Sequence, residues 1–103
     1  MIRHTVCFKL KKGEDAEKAA EVLRSMKGRV PEILDMEVGV DFLKSERSYD
    51  VILQVTLKDE KALESYQRNS YHCSVVKEYM HRARESSVAV DYRTADEFGA
   101  DEK

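Results

Sequence analysis

Tyr66 and His72, six residues apart in the run Ala62-Leu63-Glu64-Ser65-Tyr66-Gln67-Arg68-Asn69-Ser70-Tyr71-His72, are the residues best suited to a reaction centre in this chain. His4, on the apolar side of the first segment, is the third polar group that could join them. A neutral imidazole accepts a proton and a phenol donates a hydrogen bond to a carbonyl or enolate oxygen. The set therefore points to proton transfer beside a carbonyl, with His72 as general base, Tyr66 as oxygen-stabilising donor and His4 as an orienting or lining group. Backbone N–H groups near a helix start would favour the neutral form of His72. The structural reading stands beside this one: Tyr66 packs on a sheet, His72 packs or caps at the helix start, and His4 is a core histidine satisfied by a hydrogen bond. His81, beside Arg82 and close to Arg84, reads as solvated.

The elements that must position these groups follow from periodicity. Ile2, His4, Val6, Phe8 and Leu10 alternate with polar residues and predict a half-buried strand. Asp15 is placed to cap a helix whose buried side is Ala16, Ala19, Ala20, Leu23 and Met26, with Gly28 and Pro31 bracketing its end. A second strand is expected over 33–42, with Leu34, Met36, Val38, Val40 and Phe42 on one face. After a polar turn at 44–48, a third strand carries Tyr49, Val51, Leu53, Val55 and Leu57. Asp59 caps a short helix bearing Ala62, Leu63 and Tyr66. Ser70 is expected to cap a longer one bearing Val75, Val76, Tyr79, Met80 and Ala83. The last strand, 87–92, is expected to turn Val88, Val90 and Tyr92 towards the helices.

This order is the split βαβ arrangement of an α+β, ferredoxin-like domain, a four-stranded antiparallel sheet with helices on one face. The domain is expected over residues 1–93, followed by a flexible acidic tail at 94–103. The open sheet face is expected to carry Arg3, Thr5, Cys7, Lys9, Asp50, Ile52, Gln54, Thr56, Ala89 and Asp91. That pattern suits a solvated face and a wet dimer interface equally.

Composition narrows the partners. The chain has 103 residues, 42% hydrophobic and 37% charged, with net charge −2, which gives no long-range attraction for a phosphate backbone. No nucleic acid partner is expected. No stretch approaches the ~18 apolar residues of a membrane span, and the N-terminus alternates instead of forming a leader-like apolar run. The expectation is a cytoplasmic protein without a membrane partner. Cys7 and Cys73 form no CxxC or zinc-ribbon spacing and read as reduced structural thiols. Two imidazoles are too few for a closed metal site, and no nucleotide-binding or serine-hydrolase motif occurs, so no cofactor is expected.

Ile2-Arg3-His4-Thr5-Val6-Cys7-Phe8-Lys9-Leu10, Ser48-Tyr49-Asp50, Ala62-Leu63-Glu64-Ser65-Tyr66 with His72, and Val88-Ala89-Val90-Asp91-Tyr92 occur in one order along the chain. Together they resemble the stress-responsive dimeric α/β-barrel (Dabb) family. The resemblance implies a homodimer in which two sheets meet through their open faces to form a dimeric α/β barrel. It further implies that Arg3, Lys9, Asp50 and Asp91 find partners across that seam. Among the family's members is olivetolic acid cyclase, which closes a polyketide by aldol condensation. The resemblance implies that Tyr66 and His72 match its catalytic tyrosine and histidine, and His4 its pocket histidine. This chain has Asn69-Ser70 where the family often has His-Pro, and Val51 where the cyclase has a polar pocket residue.

Two functions fit. One is a small-molecule-binding barrel, taking a carbonyl or aromatic ligand, with cofactor-free enolisation, isomerisation or aldol-type cyclisation. Its pocket would be walled by Val6, Phe8, Val38, Val51, Leu53, Val76 and Met80 around His4, Tyr66 and His72. The other is a non-enzymatic stress-responsive or assembly protein whose function is the stable homodimer.

Overall fold

The computed structural model describes residues 1–94. Its elements are β1 (Ile2–Leu10), α1 (Ala16–Arg24), β2 (Asp35–Val40), β3 (Val51–Leu57), α2 (Glu60–Arg68), a π-helical turn (His72–Lys77), α3 (Glu78–Ala83) and β4 (Arg84–Arg93). The sheet runs β2-β3-β1-β4 with every neighbouring pair antiparallel, so the first two connections place β1 and β3 at its centre. The expected tail, apart from Thr94, lies outside the described residues. Thr94 donates its N–H to the Met1 carbonyl at 3.1 Å, which holds the end of β4 beside the chain start.

Alternation in β1 and β3 does what a period of two requires. Ile2, His4, Phe8 and Leu10 are buried on one side, and Val51, Leu53, Val55 and Leu57 join them from β3. Ala19, Ala20 and Leu23 of α1, Tyr66 of α2, and Val76, Met80 and Ala83 of the last helical segment cover this face. Burying each large apolar side chain contributes roughly 1.5–3 kcal/mol, and the small Ala19 and Ala20 let α1 approach closely. Asp15 accepts from Glu17 N–H at 2.9 Å and Lys18 N–H at 3.3 Å, and Asp59 from Ala62 N–H at 2.8 Å. Both expected caps therefore start their helices.

Three expectations need correction. β2 spans only Asp35–Val40, and Leu34 and Phe42 are 54% and 91% exposed. The strand stops because Asp41 turns its carboxylate onto the Lys44 N–H at 2.7 Å, bending the chain before Phe42 reaches the core; Lys44 itself has φ 57°. The helix after α2 is started by Asn69, whose Oδ1 accepts from His72 N–H at 3.0 Å, and not by Ser70. Its first turn is π-helical, which leaves Val75 exposed while Val76 is buried.

The third correction is the facing of β4. Thr5 pairs with Val90, Cys7 with Val88 and Arg3 with Tyr92, so Val88, Val90 and Tyr92 lie on the open face, 51%, 61% and 44% exposed. Ala89 and Asp91 pair with Val6 and His4 and share their helix-facing side. Alternation fixes which residues share a face and leaves open which face it is. A side-chain apolar column turned away from the helices is stable in water only at some cost, which is a first sign that this face meets something else.

The charges expected at a seam are satisfied within the chain. Arg3 Nε donates to Thr56 Oγ1 at 3.1 Å, Lys9 Nζ to the Ser48 carbonyl at 3.1 Å, and Asp50 accepts from Leu10 N–H at 2.8 Å. Asp91 lies on the other side of the sheet altogether. Among the described residues no helix is long and apolar enough to cross a membrane.

Candidate functional site

α1 packs over β2 and β3, α2 over β1 and β3, the π-helical turn against α1 and α2, and α3 against α1. A cavity of about 220 Å³ remains between them. Its lining includes eight of the ten residues expected from sequence: His4, Val6, Phe8, Leu53, Tyr66, His72, Val76 and Met80. The other two, Val38 and Val51, do not line it. Val51 is fully packed in the core and Val38 sits on β2, where its carbonyl accepts from Arg24 at 3.3 Å. The polar-to-Val51 difference from the cyclase therefore lies outside this cavity.

The three polar groups named from sequence come together. The Tyr66 ring lies between the two imidazoles, its centroid 4.4 Å from that of His72 in a tilted arrangement and 5.5 Å from that of His4 in an edge-to-face one. β1 carries His4, α2 carries Tyr66, and the Asn69 cap fixes the start of the turn that carries His72.

Sequence reading missed the residue that orients His4. Asp91 Oδ1 is paired with His4 Nδ1 across the β1–β4 ladder, where the two residues face each other. With Nδ1–H donating to the carboxylate, His4 presents Nε2 as an acceptor and its ring is held in one orientation. No local pattern signals a contact between residues 87 apart in sequence.

The electrostatics separate the other two groups. Burial, then the charge of Lys77, then that of His4 push the His72 pKa down to about 4. His72 is thus a neutral imidazole at neutral pH, as expected, but burial is the main cause and not the helix start. Its Nδ1 is buried with no hydrogen-bond partner among the described residues. Burial and then the nearby charge of Asp91 raise the Tyr66 pKa well above the usual phenol value, so its hydroxyl keeps its proton. Among the described residues that hydroxyl donates only to the Met26 sulfur at 3.8 Å, a weak acceptor.

Among the described residues no group of three His, Cys, Asp or Glu side chains could hold a metal ion. Cys7 and Cys73 are free, the second exposed with its Sγ on the Gln67 carbonyl at 3.3 Å.

The fold and cavity define a class: a ferredoxin-like α+β domain with a histidine-lined pocket between sheet and helices. The stress-responsive A/B barrel domain (Dabb) matches residues 2–94, and the chain belongs to that family. Among solved structures, it is similar to a dimeric ferredoxin-like protein of unknown function from Thermobifida fusca. That match has 21% identity and TM-score 0.79, over 90% of each chain. A Dabb family protein with a ferredoxin-like fold from Mesorhizobium loti is 22% identical, TM-score 0.69, covering 90% of this chain and 95% of that one. A hydroxynitrile lyase from Passiflora edulis is 15% identical, TM-score 0.75, covering 88% and 90%. A search among curated proteins finds no match.

Proposed function

We propose that the cavity binds a small carbonyl compound and catalyses cofactor-free proton transfer beside the carbonyl, as in enolisation, isomerisation or aldol-type cyclisation. The observation that carries this reading is the buried Tyr66 flanked by two imidazoles of different kinds. His4 is backed by a carboxylate, whereas His72 has an unpartnered ring nitrogen and resists protonation.

The division of labour differs from the one expected from sequence. His4 Nε2 takes the proton from the carbon next to the carbonyl, and the C–H electron pair moves into the carbonyl to give an enolate. His72, a weak base at a pKa of about 4, serves better as a neutral donor to the enolate oxygen. Tyr66 can add its hydroxyl by leaving the Met26 sulfur. His4 then returns the proton to carbon or oxygen. Val6, Phe8, Leu53, Val76 and Met80 keep the reaction away from bulk water. The resemblance to a lyase in fold agrees with carbon-centred chemistry on this scaffold but assigns no substrate.

The test is deuterium uptake from D2O into the methylene of phenylacetone, followed by proton NMR. Saturable exchange above the buffer rate is expected. Exchange at the buffer rate under saturating ketone would remove the catalytic half of the reading.

A second reading, a homodimer whose stability is itself the useful property, is favoured by the apolar column Val88, Val90 and Tyr92 on the open face. Similar structures described as dimeric support the assembly. The two readings are compatible, since the cavity lies on the opposite side of the sheet. Val90→Lys would place an ammonium in such an interface, and sedimentation is expected to show the single-chain mass at micromolar concentration where the parent protein sediments at twice that mass. Equal sedimentation of the two proteins would overturn the open-face dimer.

A further inference from the structure

The outer lining of the cavity has a charge of its own. The chain carries 20 acidic and 18 basic residues, yet Lys77 and Arg84 line this cavity and no Asp or Glu does among the described residues. Exposed His81 lies with them. Three arginines away from the cavity are paired with carboxylates: Arg68 with Glu64 at 3.7 Å, Arg82 with Glu78 at 4.0 Å, and Arg93 with Glu60. Neither Lys77 nor Arg84 makes an ion pair among the described residues. The one carboxylate near the floor, Asp91, is taken up by His4 and opens on a neighbouring depression beside Ile2 and Tyr92.

The π-helical turn brings this about. Hydrogen bonding between residues five apart widens the turn, so residue 77 returns close to the side occupied by residue 72, where a regular α-helix would have rotated it away. His72, Val76 and Lys77 therefore all reach one cavity. Burial orders the lining. His4, Tyr66 and His72 are buried, Arg84 is half-buried, and Lys77 and His81 are exposed. The cavity thus runs from a neutral, hydrogen-bonding floor through apolar walls to a cationic mouth.

We propose that the pocket is built for small oxo acids, with the carboxylate held by Lys77 and Arg84 at the mouth and the ketone carbonyl set against the unpartnered His72 nitrogen on the floor. This rests on the pocket reading above and adds the substrate class to it. An arginine and a lysine that line one cavity with no protein carboxylate beside them leave an anion site open. At about 220 Å³ the space is below the ~300–1,000 Å³ of drug-sized ligand sites, which suits an acid of few carbons or a single ring.

The test measures the affinities of pyruvate, levulinate and benzoylformate, each against its methyl ester, by proton–nitrogen NMR titration of the full chain. The proteins are the parent, a Lys77→Gln/Arg84→Gln variant and His72→Ala. At least one acid is expected to bind the parent about tenfold or more tightly than its ester, the size of one charge-assisted hydrogen bond. The glutamine variant is expected to erase that preference while still binding the ester. If every acid and ester bind the parent alike and His72→Ala weakens both, the oxo-acid inference fails and the pocket stands. If no acid or ester shifts the resonances of His4, His72 or Val76, both fall together.

Discussion

Replacing His4 by Gln is expected to lower enzyme-dependent deuterium exchange into a bound ketone by about 10²–10⁴-fold, the usual contribution of a positioned general base. Glutamine keeps an amide that can still hydrogen-bond to Asp91, so the fold should survive and the loss should fall on turnover. Asp91→Asn is expected to act in the same direction, because the carboxylate that selects the His4 tautomer and orients its ring is gone. A distinctive pattern follows. His72→Gln, which exchanges the imidazole donor to the enolate oxygen for a displaced amide donor, should cost less than His4→Gln, and thermal unfolding run in parallel separates lost chemistry from lost structure. If His72→Gln abolishes exchange while His4→Gln leaves it intact, the roles return to those read from the tyrosine–histidine spacing alone.

The second large effect is on stability. His72 has a folded-state pKa near 4 against an ordinary value near 6.5, so on acidification the unfolded chain takes up this proton before the folded one does. The contribution of His72 is therefore fully present above about pH 6.5 and is lost as pH falls towards 4. Between pH 7.5 and pH 4.5 this amounts to about 2–3 kcal/mol, a large share of the stability of a small domain. Urea unfolding at the two pH values measures it, with His72→Gln as the reference in which this component is missing. Parallel pH dependence in the two proteins would show that His72 is not held neutral by its surroundings.

How far these features are legible in the sequence depends on how local their causes are. The alternation of β1 and β3 and the Asp15 and Asp59 caps are short-range, and the architecture they imply is the one observed. The meeting of His4, Tyr66 and His72 was also within reach, since each lay on a face whose direction the core dictates. In β2, Leu34 and Phe42 continue the alternation beyond the strand, whereas the bond that Asp41 accepts from the Lys44 N–H ends it at Val40. The facing of β4 is not legible in its alternation, because Val88, Val90 and Tyr92 are apolar yet lie on the face opposite the helices. That one inversion separates Asp91 from His4 in a sequence reading, although the two are paired in the structure.

The π-helical turn was invisible for a different reason. Helical templates assume neighbours three and four residues apart, and Lys77 reaches the cavity through a spacing of five from His72. Asn69 was equally informative. Where the family often has histidine and proline follows, this chain has an asparagine whose side chain holds the His72 N–H and starts the turn. The small residues Ala19 and Ala20 are fully buried in the core and do not line the cavity.

The central claim is that His4, held by Asp91, and His72, held neutral by burial, face one ligand cavity. Long-range proton–nitrogen spectra of the three imidazoles, recorded with and without saturating levulinate, test it most directly. The account predicts a His4 tautomer with the proton on Nδ1, a His72 that shows no protonation step above pH 5, and ligand-induced shifts at His4 and His72 together. A His72 that titrates near its ordinary value, with neither His4 nor His72 shifted by a ligand that binds elsewhere, would contradict it.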